Sequence, residues 1–446
     1  MKHFHSRSVR AALVALPLSL YASTLLAQQP ANGADSSVQT AQHGESSTQP
    51  ISLTDALTLA LSRNPELAAF GKERGATEAA VQQAGVLPNP TLGVIGDNLG
   101  NERARVDGDR SVELQVGQLI ELGGKRGARV RLAETAHDLA GWDLESKRSD
   151  LLLRVTTAFI DVLAAQRGVA LAEESLRLAQ LVADVASKRA HAGKVSPVEE
   201  TRARVALAST RIEVEQARRE LTSARSRLGA QWNDPNPRFE AAKGELLADV
   251  LLPSRELLLQ RISDNPDLKR WSSEIARREA GINVEKAKRV PDVTVSGGVK
   301  RFSQFNDTAY MVGISVPIPL FDRNRGGVLE ATRRLGRTLD EQRAAETRVQ
   351  SELDQAYQRA ASALTQLDTL RMDVLPGAQS AFEATTKGYQ LGKFGFLDVL
   401  DAQRALFQAR AQQMRAAAEY QRAFAEIERL VGGAVQATTI AAPARQ

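Results

Sequence analysis

Asn64-Pro65-Glu66-Leu67 returns in the second half of the chain as Asn265-Pro266-Asp267-Leu268. A second matching pair, His191-Ala192-Gly193-Lys194 and Gln390-Leu391-Gly392-Lys393, follows the first pair at nearly the same distance. Each half has the same order of patterns: a helical segment, two short segments of alternating polarity, and two longer helical segments. The chain is therefore predicted to hold two copies of one structural unit.

We place the first repeat at residues 51–235 and the second repeat at residues 250–432. Apolar residues recur at intervals of three and four along most of each repeat, which predicts amphipathic helices. The longest helix would measure about 100 Å, and the two shorter helices beside it could pack along its whole length. The predicted helices cover residues 53–84, 126–189 and 197–228 in the first repeat and 254–288, 325–390 and 396–431 in the second.

Helix starts and stops support these limits. Ser52 and Ser254 are suitable N-cap residues, and Gly193 and Gly392 stand where the chain must reverse between two helices. The repeated Asn-Pro pair falls inside the first helix of each repeat and should break it, because proline cannot continue the hydrogen-bond ladder. From the helices alone, a plain coiled coil is the alternative interpretation.

Two β-hairpins are predicted between the helices, at residues 91–120 and 292–318. Val112, Leu114 and Val116 fall on one face of a strand, and the polar residues between them fall on the other. Such alternation suits a wall with lipid on one side and water on the other. Two hairpins that cap a soluble helical bundle are the alternative.

The number of strands has a consequence for assembly. Four strands cannot close into a barrel, and an open edge in lipid leaves backbone groups without hydrogen bonds, so several copies must share one barrel. Two copies would give eight strands, whose interior side chains fill the barrel, whereas three would give twelve and leave a lumen. A homotrimer is therefore predicted.

The N-terminal segment predicts export. Residues 1–27 combine three basic residues with an apolar stretch, which is typical of a signal peptide, and residues 28–50 resemble a flexible tether. A flexible tail is expected at residues 433–446. The chain has no Cys, so we expect no lipid anchor on a cysteine and no disulfide. No apolar run after the signal reaches the ~18 residues of a spanning helix, so any crossing should use strands.

Several classes of function lack support in the sequence. The formal charge is +5 and the charges are interspersed along the helices, so no nucleic-acid partner is expected. His43, His137 and His191 belong to no metal-ligand spacing, so no metal site is predicted. Neither a phosphate-binding loop nor a nucleophile with its base is suggested. We expect no catalytic site and no cofactor.

With the repeats and hairpins in place, the chain resembles the TolC family of outer membrane efflux channels. The resemblance implies a mostly α fold with a small β part: a trimer with a twelve-stranded β-barrel in the outer membrane of a Gram-negative bacterium and a long α-barrel in the periplasm. It also implies a periplasmic adaptor protein and an inner-membrane transporter as partners. The matching stretches are Leu53 through Ala60, Asn64-Pro65-Glu66-Leu67, Leu87-Pro88-Asn89-Pro90, Val316 through Asp322, and Tyr389 through Gln403.

The segment Gly117 through Arg126 is similar to the corresponding segment of the cobalt, zinc and cadmium efflux branch of that family. This similarity implies a passive exit duct for divalent metal cations, served by a transporter of the resistance-nodulation-division type. For Lys125 and Arg126 themselves, we expect anchoring at the membrane border. The same channel with drugs or secreted polypeptide as cargo, and a periplasmic coiled coil that conducts nothing, remain the alternatives.

The start of the last helix is the expected periplasmic aperture. Asp398 and Asp401 lie three residues apart and so share a helix face. The resemblance implies that they form stacked acidic rings in the trimer, which would favour cations. Acids that complement a helix dipole in its first turn are the structural alternative, mainly for Asp398.

Residues near the two turns are predicted to hold the resting aperture shut. Tyr389 matches a tyrosine of the family, and Glu199 stands where the first repeat has the acidic partner of that tyrosine. We hypothesise a hydrogen bond between Tyr389 and Glu199. The family's basic residue falls on Phe394, and the adjacent Lys393 could replace it. The tip residues expected to contact the adaptor are Gly193, Lys194 and Gly392.

Overall fold

A computed structural model of the chain describes residues 49–99, 110–246, 251–302 and 307–435. The predicted signal peptide, the tether up to residue 48 and the tail beyond residue 435 lie outside these described residues. Residues 100–109, which fall within the first predicted hairpin, also lie outside the described residues. Within the described residues the fold is mostly helical with a small strand part, as predicted.

The first half of the chain contains four helices and four strands in the described residues. The long helix is within two residues of its predicted ends. In chain order the elements are β1 (Ile51–Ser52), α1 (Leu53–Arg63), α2 (Pro65–Ala84), β2 (Thr91–Asp97), β3 (Ser111–Ile120), α3 (Lys125–His191), α4 (Pro197–Ala230) and β4 (Ala242–Lys243).

The second half repeats the main elements of the first, with two local departures from α-helix. They are a 3-10 turn at Ile262–Asp264 and a π turn at Leu370–Val374. The elements are α5 (Arg255–Arg261), α6 (Pro266–Ala287), β5 (Val293–Phe302), β6 (Asp307–Ser315), α7 (Arg325–Thr369), α8 (Leu375–Gln390) and α9 (Phe396–Leu430).

The repeated Asn-Pro pair breaks each helix as predicted, and the asparagine also joins two helices. Asn64 Oδ1 accepts the Leu67 N–H at 2.9 Å, which caps α2, and Asn64 Nδ2 donates to the Gln231 carbonyl at 2.8 Å, just past the end of α4. Asn265 repeats this geometry: it caps α6 and donates to the Leu430 carbonyl of α9 at 3.0 Å. Each repeat is thus fastened where its last helix returns to its first.

The predicted single helix over residues 325–390 is interrupted. Pro376 lies two residues after the π turn, and a proline inside a helix removes one hydrogen bond and clashes with the carbonyl four residues earlier. A π turn inserts an extra residue and relieves that clash. The helix therefore continues as α8 instead of ending.

The two repeats are held together by a row of ion pairs between α3 and α9. These helices run antiparallel. From the start of α9 toward its end, successive arginines of α9 pair with acids that lie progressively nearer the start of α3. The Arg410–Glu174, Arg422–Asp161 and Arg429–Asp150 pairs are each 2.7 Å long. Exposed ion pairs stabilise little individually, but such a row fixes the relative position of the helices along their axes.

The hydropathy of α3 corrects one expectation. By length and composition, α3 (Lys125–His191) is apolar enough to cross a membrane. Much of that apolar character has a packing role: Leu151, Val155, Phe159 and Val162 are buried in the core of the first repeat, together with residues of α1 and α4. Length and composition alone therefore do not distinguish a membrane-spanning helix from one that packs in a core.

Candidate functional site

The four longer strands form one antiparallel sheet in the order β2, β3, β5, β6. The register places ten large apolar residues of the four strands on one face, and this face is exposed; Tyr310 and Val312 are 85% and 86% exposed. A soluble sheet buries such a face, whereas a membrane barrel turns it to lipid. The exposed apolar residues are Leu92, Val94, Val112, Leu114, Val116, Val295, Val299, Tyr310, Val312 and Ile314.

The opposite face of the sheet is mainly polar, although Ile95, Leu119 and Met311 also lie on it. Glu113, Gln115 and Ser296 lie on it, and Lys300 pairs with Asp97 at 2.8 Å across the strands. In the described residues neither β2 nor β6 has a partner strand on its outer side. The sheet is therefore a lipid-compatible wall with a polar side and two open edges.

The junction from β3 into α3 depends on two glycines and a half-buried ion pair. Gly123 and Gly124 adopt left-handed φ of 69° and 72°, which residues with a Cβ rarely adopt. Lys125 pairs with Asp292, which precedes β5, at 2.7 Å, and Asp292 also accepts the Leu122 N–H. Lys125 therefore fastens the two hairpins together, whereas Arg126 is exposed, as anchoring would require.

The chain makes the same kind of turn twice, once after the C-terminal end of α3 and once after the C-terminal end of α8. Lys194 N donates to the Arg189 carbonyl at 2.9 Å, and Lys393 N donates to the Gly388 carbonyl at 2.8 Å. Gly193 in the first turn has a φ of 68°, and Gly392 in the second turn has a φ of 73°. Each turn is thus a Schellman motif, in which glycine supplies the left-handed residue.

The ends of four helices meet beside these turns and form the cluster that we call the tip. Its apolar centre is buried, and it receives residues from α3, α4, α8 and α9. The tip therefore joins the turn of the first repeat to the turn of the second. The buried members are Ala183, Ala186, Ala203, Tyr389, Phe396, Val399 and Leu400.

Arg189 of α3 makes the main polar contact between the two repeats at the tip. Its Nη1 donates to the Tyr389 carbonyl at 2.9 Å, and its guanidinium lies 4.5 Å from the centre of the Tyr389 ring. The same carbonyl accepts the Gly392 N–H of the second turn. Arg189 therefore binds the backbone that forms the second turn and stacks on the buried ring beside it.

The predicted hydrogen bond between Tyr389 and Glu199 is absent from the single chain. Tyr389 Oη and Glu199 Oε2 are both buried, and neither has a hydrogen-bond partner among the described residues. Burial raises the pKa of Tyr389; nearby Arg189 lowers the pKa, and Glu199 raises it. Lys393 is exposed, and the cation that contacts Tyr389 is Arg189.

The two predicted aperture acids both lie on the exposed face of α9 but differ in their contacts. Asp398 Oδ2 accepts the Gly395 N–H at 2.8 Å, so it caps the helix as the structural alternative requires. The side chain of Asp401 is 77% exposed and lies 3.9 Å from Arg404, at the limit of an ion pair. Asp401 is therefore the more available of the two charges.

Metal-ligating residues do not cluster in the part of the chain that the structure describes. His137 Nδ1 lies 3.1 Å from the Thr77 hydroxyl, and His191 Nδ1 lies 2.7 Å from the Ser187 carbonyl. Both contacts are ordinary for histidines on helices.

A sheet with one lipid-compatible face and two open edges, continued by antiparallel helices that end in closed turns, defines a subunit of a membrane duct. The chain belongs to the family of outer membrane efflux proteins, which matches residues 56–234 and 257–433. It is an outer membrane efflux channel protein.

Relatives and solved structures agree with this assignment. The chain is 38% identical over 383 residues to the cobalt-zinc-cadmium resistance protein CzcC of Cupriavidus metallidurans, covering 86% of this chain and 90% of CzcC. It is 28% identical to the nickel-cobalt-cadmium resistance protein NccC of Alcaligenes xylosoxydans, covering 69% of this chain and 64% of NccC. The fold is similar to a crystal structure of CusC, with a TM-score of 0.73 at 18% identity, covering 86% of this chain and 92% of CusC.

Proposed function

We propose that three copies of this chain form one duct, with a shared β-barrel in the outer membrane of a Gram-negative bacterium and an α-barrel in the periplasm. The exposed apolar face of the sheet, with its two open edges, is the observation that carries the proposal. An open edge in lipid is costly, and copies that pair β6 with β2 would remove it. Three copies give enough strands for a lumen.

The proposed cargo is divalent metal cations such as cobalt, zinc and cadmium. Both relatives described above carry metals in their names, and one of them aligns with 86% of this chain. The exposed carboxylate of Asp401, repeated around a threefold axis with that of Asp398, would attract cations without retaining them. The duct is proposed to be passive: it needs no catalytic site or cofactor, because the partner transporter supplies the energy.

The tip is the proposed aperture and the proposed contact with partner proteins. Gly193, Lys194 and Gly392 lie at the extreme turns, where a periplasmic adaptor protein could reach them from an inner-membrane transporter of the resistance-nodulation-division type. All three are exposed. Their backbone is fixed by the Schellman motifs, which would present a constant surface to the adaptor.

We assign the closing contact of the aperture to Arg189 and Tyr389 in place of the Tyr389–Glu199 hydrogen bond. Arg189 joins the last turn of α3 to the last turn of α8, so opening one turn away from the other must break this contact. The unpartnered atoms of Tyr389 and Glu199 lie in the same buried region. Their proposed role is to weaken the closed packing, so that the contact can open.

A growth experiment tests the cargo. A strain that lacks its own channel but keeps a metal transporter and its adaptor should regain tolerance to cobalt, zinc and cadmium when this chain is expressed. A parallel series with antibiotics and an efflux pump for drugs tests the alternative cargo. Restored drug tolerance without any gain in metal tolerance would contradict the metal assignment and leave the channel assignment standing.

A further inference from the structure

The sheet and the helices next to it are open on the same two sides. In the sheet the outer members are β2 and β6. Among the described helices near the sheet, α2 packs on α3, α3 packs on α6, and α6 packs on α7. The outer members of this row are therefore α2 and α7. The side that ends in β2 also ends in α2, and the side that ends in β6 also ends in α7.

One short segment joins the outer helix to the outer strand on each side. The first linker, residues 85–90, leads from α2 into β2, and the second linker, residues 316–324, leads from β6 into α7. Both linkers are fully described, and both expose large apolar side chains. Leu87 is 61% exposed in the first linker, and Phe321 is 97% exposed in the second.

The apolar side chains of both linkers are more exposed than is usual on the surface of a fully assembled protein. Val86 accompanies Leu87, and Ile318 and Leu320 accompany Phe321, all of them exposed. Contiguous apolar patches at an edge mark a contact with another protein or with membrane. Contact with lipid would explain apolar residues at this level of the molecule. It gives no reason for those residues to lie at the two open edges in particular.

Strand direction decides what covers the linkers. Every neighbouring pair in the sheet is antiparallel, and β2 begins where the first linker ends, whereas β6 ends where the second linker begins. When β6 of one copy pairs antiparallel with β2 of the next, the end of β6 must lie beside the start of β2. The second linker of one copy then adjoins the first linker of its neighbour.

We propose that Ile318, Leu320 and Phe321 of one copy pack against Val86 and Leu87 of the next. This apolar seam closes the ring at the level where strands become helices, between the barrel edges and the faces of α2 and α7. The contact is heterologous, since each copy uses a different linker toward each neighbour. The inference rests on the proposed function, because it requires copies that share one barrel.

The absence of Cys in the chain makes a direct test possible. Two chains with different tags are expressed together, one carrying Leu87→Cys and the other Phe321→Cys, and membranes are oxidised. We expect a disulfide-linked pair that contains both tags and disappears on reduction. Either substitution expressed alone should give no linked pair, because the contact joins unlike positions.

A matched control uses Leu181→Cys, which is on α3 and is 63% exposed, in place of Leu87→Cys. This control should give no linked pair with Phe321→Cys. Ile318→Cys supplies a second position in the second linker if Phe321→Cys reduces assembly. A chain carrying both Leu87→Cys and Phe321→Cys should be converted to a covalent ring of all its copies.

The outcomes separate the seam from the proposed function. If the variants form trimers by native mass spectrometry and conduct ions, yet neither oxidation nor a flexible bismaleimide links Leu87→Cys to Phe321→Cys or Ile318→Cys, the seam is wrong and the duct stands. If differently tagged chains do not associate at all, both the seam and the shared barrel are wrong.

Discussion

Arg189 and Tyr389 show how much a single contact can depend on long-range packing. The aligned turns place Arg189 opposite Gly388 in the second repeat, so the sequence holds a cation in one repeat where the other has none. In the second repeat that position must lack a side chain, because a Cβ on Gly388 would meet the Phe394 ring at 2.0 Å. This difference between the repeats could have singled out Arg189 from the sequence. The spacing of residues alone could not show that Arg189 contacts Tyr389.

Replacing Arg189 should open the resting channel. Arg189→Gln removes the stacking on the Tyr389 ring and a charged hydrogen bond, together about 2 kcal/mol per chain, or roughly 30-fold in the ratio of closed to open tips. Single-channel recording should show a longer open time or a larger resting conductance. Arg211→Gln, at an exposed position of α4, is the control and should behave as the unaltered chain.

Tyr389→Phe distinguishes this contact from the hydrogen bond that the sequence suggested. The hydroxyl has no hydrogen-bond partner among the described residues, whereas the ring and carbonyl that Arg189 contacts are retained in Tyr389→Phe. The closed state should therefore survive this change. A channel that opens in Tyr389→Phe and stays closed in Arg189→Gln would reverse the assignment.

At the scale of helices and strands, local chemistry predicts most of the fold. Proline at the first position of a helix, an asparagine before it and glycine after a helix have strong conformational preferences, so the breaks and turns were predictable. The π turn was not, because its cause is a proline that the helix tolerates, and most prolines end a helix. The pairing of β1 with β4 involves two residues in each strand, which is too short to give a pattern.

The capping asparagine of the second repeat should matter for stability. Asn265 is 1% exposed, and its side chain both caps α6 and satisfies the Leu430 carbonyl. Asn265→Ala loses the cap and leaves a buried carbonyl without its partner, at a cost of about 2 kcal/mol. Thermal unfolding followed by circular dichroism should shift downward by several degrees.

Asn236→Ala is the matched control, since Asn236 is exposed in the segment after α4. It should unfold at the temperature of the unaltered protein. Equal unfolding temperatures for Asn265→Ala and Asn236→Ala would show that the repeated Asn-Pro pair acts only through its proline.

At the scale of the whole molecule, the two repeats have the same architecture and different surfaces. Each repeat provides one hairpin to the sheet and an antiparallel set of long helices that ends at the tip. The α3–α9 ion pairs join the two repeats along the length of α9. The open edges lie on opposite sides of the sheet, which suits a ring of identical copies.

Current through a planar lipid bilayer tests the central claim most directly. Purified full chain should insert and give discrete conductance steps, and in a salt gradient the reversal potential should indicate a preference for cations. Asp401→Asn should reduce this preference several-fold without changing the step size greatly, because it removes the exposed charge at the aperture and retains the helix cap of Asp398. Protein that remains folded and yet gives no conductance, or a channel that prefers anions, would contradict the account of this chain as a cation-favouring outer membrane duct.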